Sequence, residues 1–461
     1  MPTQRERIER IRISSDAFEV SSDGELLIDG LTAKELLRRF DSPLFVLVER
    51  TLRTNLRRIR AAFASQWPKP VNVMYAIKAN NNPAVRAVLN SEGAGGECFG
   101  LGELRATFLG GANPASVVMN GSNKSEEELS TAVEHGVLIN IDAESEIETL
   151  ARVCKRLGQT ARVNLRLKIV PDCYASVGSD YFGLSTNVRA CLLDEKWGFS
   201  AKLAKDLVEH IRSFPALDLR GFSAHTGRFT RDPGLFREYT RELAATVTSI
   251  CDDARCTTQI LDIGGGWPRE RDPESRLPGL NPHPIEEYAR EAIAGLKDGW
   301  GAHLAYPELW LEPGRYIVGN ASFLLGTIGT IKRDCDRVWV HSDFSTNHLM
   351  RIDTAASSYH VIVATGMDRP DCQTVQIVGP TCVDSRFAAH LSVPDVRMGE
   401  PIAVLDTGMY SETTSTQFNG TPRPATVLVS NGEAEVIKKR ETVGDLFQHC
   451  LIPNRLKPRE R

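Results

Sequence analysis

From about residue 44 onward, short β-branched or apolar runs that stop at Gly, Asn or His alternate with longer charged stretches of helical period. The strand-like runs fall at 44–48, 71–77, 95–99, 116–120, 137–141, 162–168, 219–225, 260–263 and 309–311, and helical period marks 83–90, 125–135, 144–157 and 233–252. This is the rhythm of repeated βα units, and it predicts a parallel barrel. After Arg315 the pattern changes to strands without long helices, at 339–340, 360–364, 374–378, 401–405 and 424–429, which reads as a separate all-β domain. The strand-like stretch at 18–28 is expected to join that domain. No internal repeat at a fixed period and no low-complexity tract interrupts the scheme.

Length agrees with two domains, because 461 residues exceed what one hydrophobic core usually supports. Charge narrows the range of partners: Lys plus Arg (55) and Asp plus Glu (59) nearly cancel to −4, without a long basic run, which argues against nucleic acid. No run is long and apolar enough to span a bilayer, and the start, Met-Pro-Thr-Gln-Arg-Glu-Arg-Ile-Glu-Arg-Ile-Arg, has neither the apolar core of a secretory signal nor an acid-poor transit pattern. The ten cysteines lie far apart, Cys251 and Cys256 being the nearest pair, and match neither a zinc site nor a disulfide scaffold. Together these features predict a soluble protein of the reducing cytoplasm, with no metal and no membrane partner.

In a parallel barrel, chemistry belongs at the C-terminal ends of the strands, and several reactive residues fall there. Lys78 closes the apolar run 73–77; a partly desolvated amine at that position can have its pKa lowered enough to form an imine. Gly264-Gly265-Gly266 follows Ile260-Leu261-Asp262-Ile263, so successive backbone N–H groups can form a nest for a dianionic phosphate. Glu312 and Arg315 stand three apart across the Pro-Gly turn that ends the last strand-like run. His225 ends the run 219–225, where an imidazole can stack on a ring, and Cys382 in Gly379-Pro380-Thr381-Cys382 offers a thiol that can move protons. Taken singly, each also fits a plain structural role: a strand-capping lysine, a flexible loop, a turn ion pair, a satisfied histidine, a buried thiol.

In order along the chain, Tyr75-Ala76-Ile77-Lys78-Ala79-Asn80, Asn120-Gly121-Ser122-Asn123-Lys124-Ser125, His225-Thr226-Gly227, the glycine triplet, Glu312-Pro313-Gly314-Arg315, Gly379-Pro380-Thr381-Cys382 and Asp406-Thr407-Gly408-Met409-Tyr410 resemble the fold-type III pyridoxal-5′-phosphate (PLP) decarboxylases. That family includes the diaminopimelate, ornithine and arginine decarboxylases, and the likeness runs from about residue 40 to residue 430, closest to diaminopimelate decarboxylase-like members. The resemblance implies a (β/α)8 TIM-like barrel at 44–314 and a β-domain at 315–461 joined by residues 1–43. It also implies a homodimer whose active sites draw residues from both subunits. By matching position, Lys78 would hold PLP as a Schiff base, His225 would stack on its ring, and Glu312 would pair with the pyridinium. Gly265, Gly266, Arg315 and Tyr410 would hold the phosphate, and Cys382, reaching across from the other subunit, would protonate the α-carbon.

The chain departs from the family pattern at several places. Arg228 occupies a position where relatives use a phosphate-contacting serine, and as a cation it could still pair with phosphate. Glu97 replaces an aspartate. Val383 stands where relatives acting on diamino acids put a carboxylate for the distal ammonium, leaving Asp384 as the available substitute. Tyr181 and Arg386 replace the two ends of a dimer-interface salt bridge. Asn347 and Arg351, by contrast, match the segment whose arginine binds a distal carboxylate. The expected activity is therefore decarboxylation of an amino acid in the manner of diaminopimelate decarboxylase, with a different carboxylate-bearing or N-substituted amino acid of specialised metabolism as the alternative. A non-catalytic homologue would have to explain why Lys78, Glu312, Arg315, Cys382 and Tyr410 are all present, and a racemase would not need the Gly-Pro-Thr-Cys loop.

Overall fold

The computed structural model describes residues 2–177, 187–225, 231–273, 279–349, 359–383 and 386–457. Twenty strands occur among them. Four precede the barrel: β1 (Phe18–Val20), β2 (Leu26–Ile28), β3 (Leu31–Thr32) and β4 (Leu44–Val48). Eight form it: β5 (Val71–Ala76), β6 (Gly95–Cys98), β7 (Val117–Met119), β8 (Leu138–Ile141), β9 (Ala161–Leu167), β10 (Leu217–Ala224), β11 (Ile260–Asp262) and β12 (Glu308–Leu311). Eight follow: β13 (Ser322–Asp334), β14 (Arg337–Ser342), β15 (Val361–Val363), β16 (Gln373–Val378), β17 (Arg386–Val393), β18 (Pro401–Val404), β19 (Ala425–Ser430) and β20 (Glu433–Lys438).

Strands β5 to β12 pair in parallel, each with the next, and β12 closes on β5, so the (β/α)8 barrel expected from the alternating pattern is present. Local chemistry sets the helices between the strands. Ser125 and Glu128 form a reciprocal capping box ahead of the helix Glu126–His135, and Asp232 caps the helix Pro233–Ala254 through Gly234 N–H, with Pro233 at its first position. Residues 49–321 make one compact unit, to which Ile13–Asp16 also belong.

That short N-terminal insert is held by a buried ion pair. Asp16 accepts from both Arg271 terminal nitrogens, at 2.7 and 3.1 Å, and from Asn320 at 2.9 Å, with the Arg271 and Asp16 side chains 3% and 0% exposed. Asp16→Ala would leave a guanidinium buried opposite an apolar methyl, so we expect a loss of about 3–5 kcal/mol in urea unfolding. A loss below about 1 kcal/mol would show that Arg271 finds water instead.

The other unit contains residues 1–12, 17–48 and 322–461. Its larger sheet runs β17-β16-β14-β13-β4-β19-β20, with β18 and β15 attached through β13. Phe18, Leu26 and Ile28 pack with Phe323, Ala403 and Val427 in one core, so the stretch 18–28 does join the β-rich part. A correction concerns 44–48, expected as a barrel strand. Strand β4 instead pairs antiparallel with β13 and parallel with β19. All five of its residues are buried, and a run buried on both faces reads alike whether it lines a barrel or crosses the middle of a sheet. The pattern also missed the longest strand, β13, whose second half alternates only weakly in burial.

Candidate active site

Polar side chains collect at the C-terminal ends of the barrel strands. Lys78 sits in the short 3-10 turn Ile77–Ala79 after β5 and donates to Glu97 Oε2 at 2.7 Å; Glu97, on β6, is fully buried. Asn120, just after β7, donates to Glu97 Oε1 at 3.0 Å and to Glu312 Oε1 at 2.7 Å, and its own carbonyl oxygen accepts from Asn140 on β8 at 2.8 Å. An amine, two carboxyls and a carboxamide are thus joined in one chain of charge-assisted hydrogen bonds, Lys78 to Glu97 to Asn120 to Glu312.

Beside β12, Gly264 and Gly265 leave β11 where no other residue fits. A Cβ at Gly264 would come 2.6 Å from Ala224 O, and one at Gly265 2.3 Å from Glu312 O. Gly264 also adopts φ +73°, which favours glycine. Gly265 N–H donates to His225 Nδ1 at 3.0 Å, so that nitrogen is unprotonated. Burial, then the charges of Lys78 and Arg166, pull the His225 pKa down to about 3, so the ring is neutral at physiological pH.

Because the unfolded chain takes up this proton near pH 6.5 and the folded chain only near 3, His225 favours folding above 6.5 and its contribution is lost as pH falls toward 3. The upper bound on the slope is about 1.4 kcal/mol per pH unit, reduced by screening because the ring is partly exposed. The urea midpoint of wild type is expected to fall more steeply between about pH 6 and pH 4 than that of His225→Gln. Parallel curves would contradict a neutral His225.

The arrangement fits PLP. Lys78 supplies an amine for the aldehyde, Glu312 a carboxyl for the ring nitrogen, and the glycine turn a concavity that no side chain fills. Below them, buried side-chain atoms of Asn164, Ser223 and Asp262 lack hydrogen-bond partners among the described residues, as suits a barrel floor that meets a polar ligand or water.

Of the residues singled out from the pattern, the barrel unit gathers Lys78, His225, Gly265, Gly266 and Glu312 at its strand ends. Arg315 begins the short helix Arg315–Val318 and lies 3.4 Å from Asp272 Oδ2. Cys382, Val383, Asn347 and Tyr410 belong to the β-rich unit. There Cys382 is exposed, its N–H donating to Asn419 Oδ1 at 3.2 Å, and Val383 is 46% exposed. Asn347 is buried and donates to Phe418 O at 2.8 Å, and Tyr410 has φ +56°. Arg386 opens β17 and lies 3.4 Å from Gln376 Oε1. Arg228, Arg351, Asp384 and Tyr181 lie outside the described residues.

Several site residues were not anticipated as such. Asn120 ends the strand-like run 116–120 and Asp262 lies within the run 260–263, so their position on the barrel was available in principle. Phe99 likewise ends the run 95–99; its ring lies under Lys78 Nζ at 4.5 Å and meets Trp197 edge-on at 5.6 Å, while Arg166 covers Trp197 at 4.8 Å.

Comparison with known proteins agrees with this geometry. Residues 50–319 match the family model described as pyridoxal-dependent decarboxylase, pyridoxal binding domain. Over 446 residues the chain is 31% identical to a diaminopimelate decarboxylase of Methanothermobacter thermautotrophicus, covering 95% of this chain and 98% of the relative. A similar enzyme of Archaeoglobus fulgidus is 29% identical over 94% of this chain. A crystal structure of diaminopimelate decarboxylase from M. jannaschii superposes with a TM-score of 0.86 at 26% identity, covering 96% of this chain and 99% of that one. A second structure of the M. jannaschii enzyme, in complex with L-lysine, gives 0.85.

Proposed function

The chain belongs to the pyridoxal-dependent decarboxylase family and is a PLP-dependent amino-acid decarboxylase; from that premise we propose that its substrate is meso-diaminopimelate or an amino acid with the same distal carboxylate. The observation that carries this reading is likeness to diaminopimelate decarboxylases over nearly the whole chain, β-rich unit included. The complex of the M. jannaschii enzyme with L-lysine supports it, since removing one carboxyl as CO2 from diaminopimelate leaves lysine. Among the described residues no helix is long and apolar enough to cross a membrane; we propose a cytoplasmic enzyme.

When bound, PLP supplies an electron sink for the electron pair that CO2 leaves behind. The chain's own groups would serve it as follows. Lys78 would hold the aldehyde carbon, and Glu97, its partner in the chain of hydrogen bonds, would receive the ammonium once Lys78 is released. Glu312 would keep the ring nitrogen protonated, in a site dry enough for that charge pairing to be strong. Neutral His225 would lie against the ring. Gly265 and Gly266, with Arg315, Arg228 and Tyr410, would hold the phosphate, and Cys382 would return a proton to the α-carbon. Arg351 would take the distal carboxylate, with Asn347 as its neighbour on the same segment. We propose a homodimer in which each copy lends Cys382 to the other's site.

A second reading rests on Val383. A neutral side chain cannot pair with a distal ammonium, so unless Asp384 takes that role the substrate carries a distal carboxylate without it. The test is CO2 release by the PLP-loaded protein from meso-diaminopimelate, ornithine, lysine, arginine and glutamate. Dominant turnover of diaminopimelate is expected. Silence on the whole panel with the cofactor's absorbance intact would overturn diaminopimelate in favour of the second reading.

A further inference from the structure

The helix Pro233–Ala254 runs just past Cys251, and the chain then reverses at Arg255, which adopts φ +48°. Two hydrogen bonds to one carbonyl close this turn: Arg255 N–H and Cys256 N–H both donate to Cys251 O, the second at 3.1 Å. A helix end of this kind brings together the side chains of the two residues it joins, and an apolar pair usually fills the place. Here both residues are cysteines.

Their sulfurs meet. Cys256 Sγ donates to Cys251 Sγ at 3.8 Å, and Cys251 Sγ lies 3.3 Å from Thr258 Oγ1, two residues beyond the turn. Both thiols are free; Cys251 is 2% exposed and Cys256 partly exposed, so a reagent in solvent reaches one sulfur while the other waits in contact with it. A disulfide of about 2 Å requires the sulfurs to close by roughly 1.8 Å, a movement that torsion about the two Cα–Cβ bonds supplies while the backbone hydrogen bonds keep the turn. The hydrogen bond from Cys256 pulls the Cys251 thiol down to about 7 against the effect of burial, and the same bond pushes Cys256 up. The first proton therefore leaves the pair rather than either residue, and the proton that remains passes along the bond between the sulfurs.

We infer that Cys251 and Cys256 form a thiol–disulfide exchange site, at which the exposed Cys256 takes up a small disulfide and the buried Cys251 resolves it into a Cys251–Cys256 bond. Cys256 Sγ, its proton passed to Cys251, attacks one sulfur of a reagent R–S–S–R; that S–S bond breaks and one RS− leaves. Cys251 then gives its proton to solvent and attacks Cys256 Sγ, forming the intrachain bond and expelling the second RS−. The two thiol protons end on two RSH molecules, and the two electrons given up by the cysteines reduce the reagent. Because the pair stands ahead of the N-terminal end of β11, whereas Lys78 and Glu312 stand at C-terminal strand ends, this inference is independent of the PLP reading.

Trypsin reads the bond directly, because it cuts after Arg255, between the two cysteines. The full folded chain is reduced, freed of reductant, exposed to glutathione disulfide at neutral pH, blocked with iodoacetamide and digested. Peptides 242–255 and 256–269 are expected to run mostly as one joined species that dithiothreitol separates. The exposed Cys335, Cys372, Cys382 and Cys450 also meet the reagent, so the link and not a count of thiols is the readout. Two separate peptides, alkylated or each carrying glutathione, overturn the inference. Two variants test the order of attack. Cys251→Ala removes the resolving sulfur, so glutathione is expected to stay on peptide 256–269; an unmodified Cys256 there overturns the uptake role. Cys256→Ser is expected to leave the buried Cys251 unmodified, and glutathione on Cys251 would overturn Cys256 as the point of entry.

Discussion

Lys78→Ala is expected to lower kcat by at least about a thousandfold and to abolish covalent retention of PLP, in the range seen when a positioned nucleophile or proton donor is lost. The amine stands at a strand end between a buried carboxylate at 2.7 Å and the face of Phe99 at 4.5 Å, so it is oriented and partly shielded from water before any ligand arrives. Among the described residues no other amine enters the chain of hydrogen bonds that runs from Glu97 through Asn120 to Glu312. Borohydride reduction followed by peptide mass spectrometry reads the attachment: the wild-type peptide containing Lys78 gains the mass of the reduced cofactor, and the variant does not. Removing the ammonium also leaves Glu97 buried without its partner, so circular dichroism must accompany the kinetics. A folded Lys78→Ala protein that keeps more than about a tenth of wild-type kcat would sink the assignment.

The second large effect is expected at Glu312. Glu312→Gln keeps the shape and can still accept from Asn120 through its amide oxygen, so the fold should survive. What it loses is a negative charge in a buried site, and with it the means of holding a proton on the ring nitrogen. A fall in kcat of about a hundredfold to a thousandfold is expected, with little change in KM, the mark of a group that stabilises the transition state more than the bound substrate. Should KM rise and kcat hold, Glu312 would be a binding group and the electron-sink role would fail.

These two residues stood out as candidates in the sequence, although each taken singly also fitted a plain structural role and only the motifs in order along the chain favoured chemistry. Each closes an apolar run, and a polar side chain at the C-terminal end of a barrel strand points toward the place where such a fold does its chemistry. The glycine triplet was legible for a similar reason, since three residues without side chains leave a turn open to a ligand. Strand β4 was misplaced because five buried apolar residues carry no mark of which sheet they cross. The partners of Lys78 and Glu312 were harder still. Glu97, the partner of Lys78, was noted only as a departure from a motif, and Asn120, the partner of Glu312, only as one residue of a longer motif. Neither has a neighbour in the chain that announces its role.

By itself the sequence determined the class of this protein: its alternation of apolar runs and helical stretches dictates a barrel, and its collinear motifs tie that barrel to PLP. Both follow from short-range regularities, which the chain carries whether or not it is folded. Only the tertiary structure decided that Lys78 meets Glu97 and that Asn120 bridges Glu97 and Glu312. Those contacts join residues 19 to 192 positions apart, the farthest brought together only when β12 closes on β5. The protonation of a carboxyl depends on the burial and the neighbours that this closure creates, and neither exists in the extended chain.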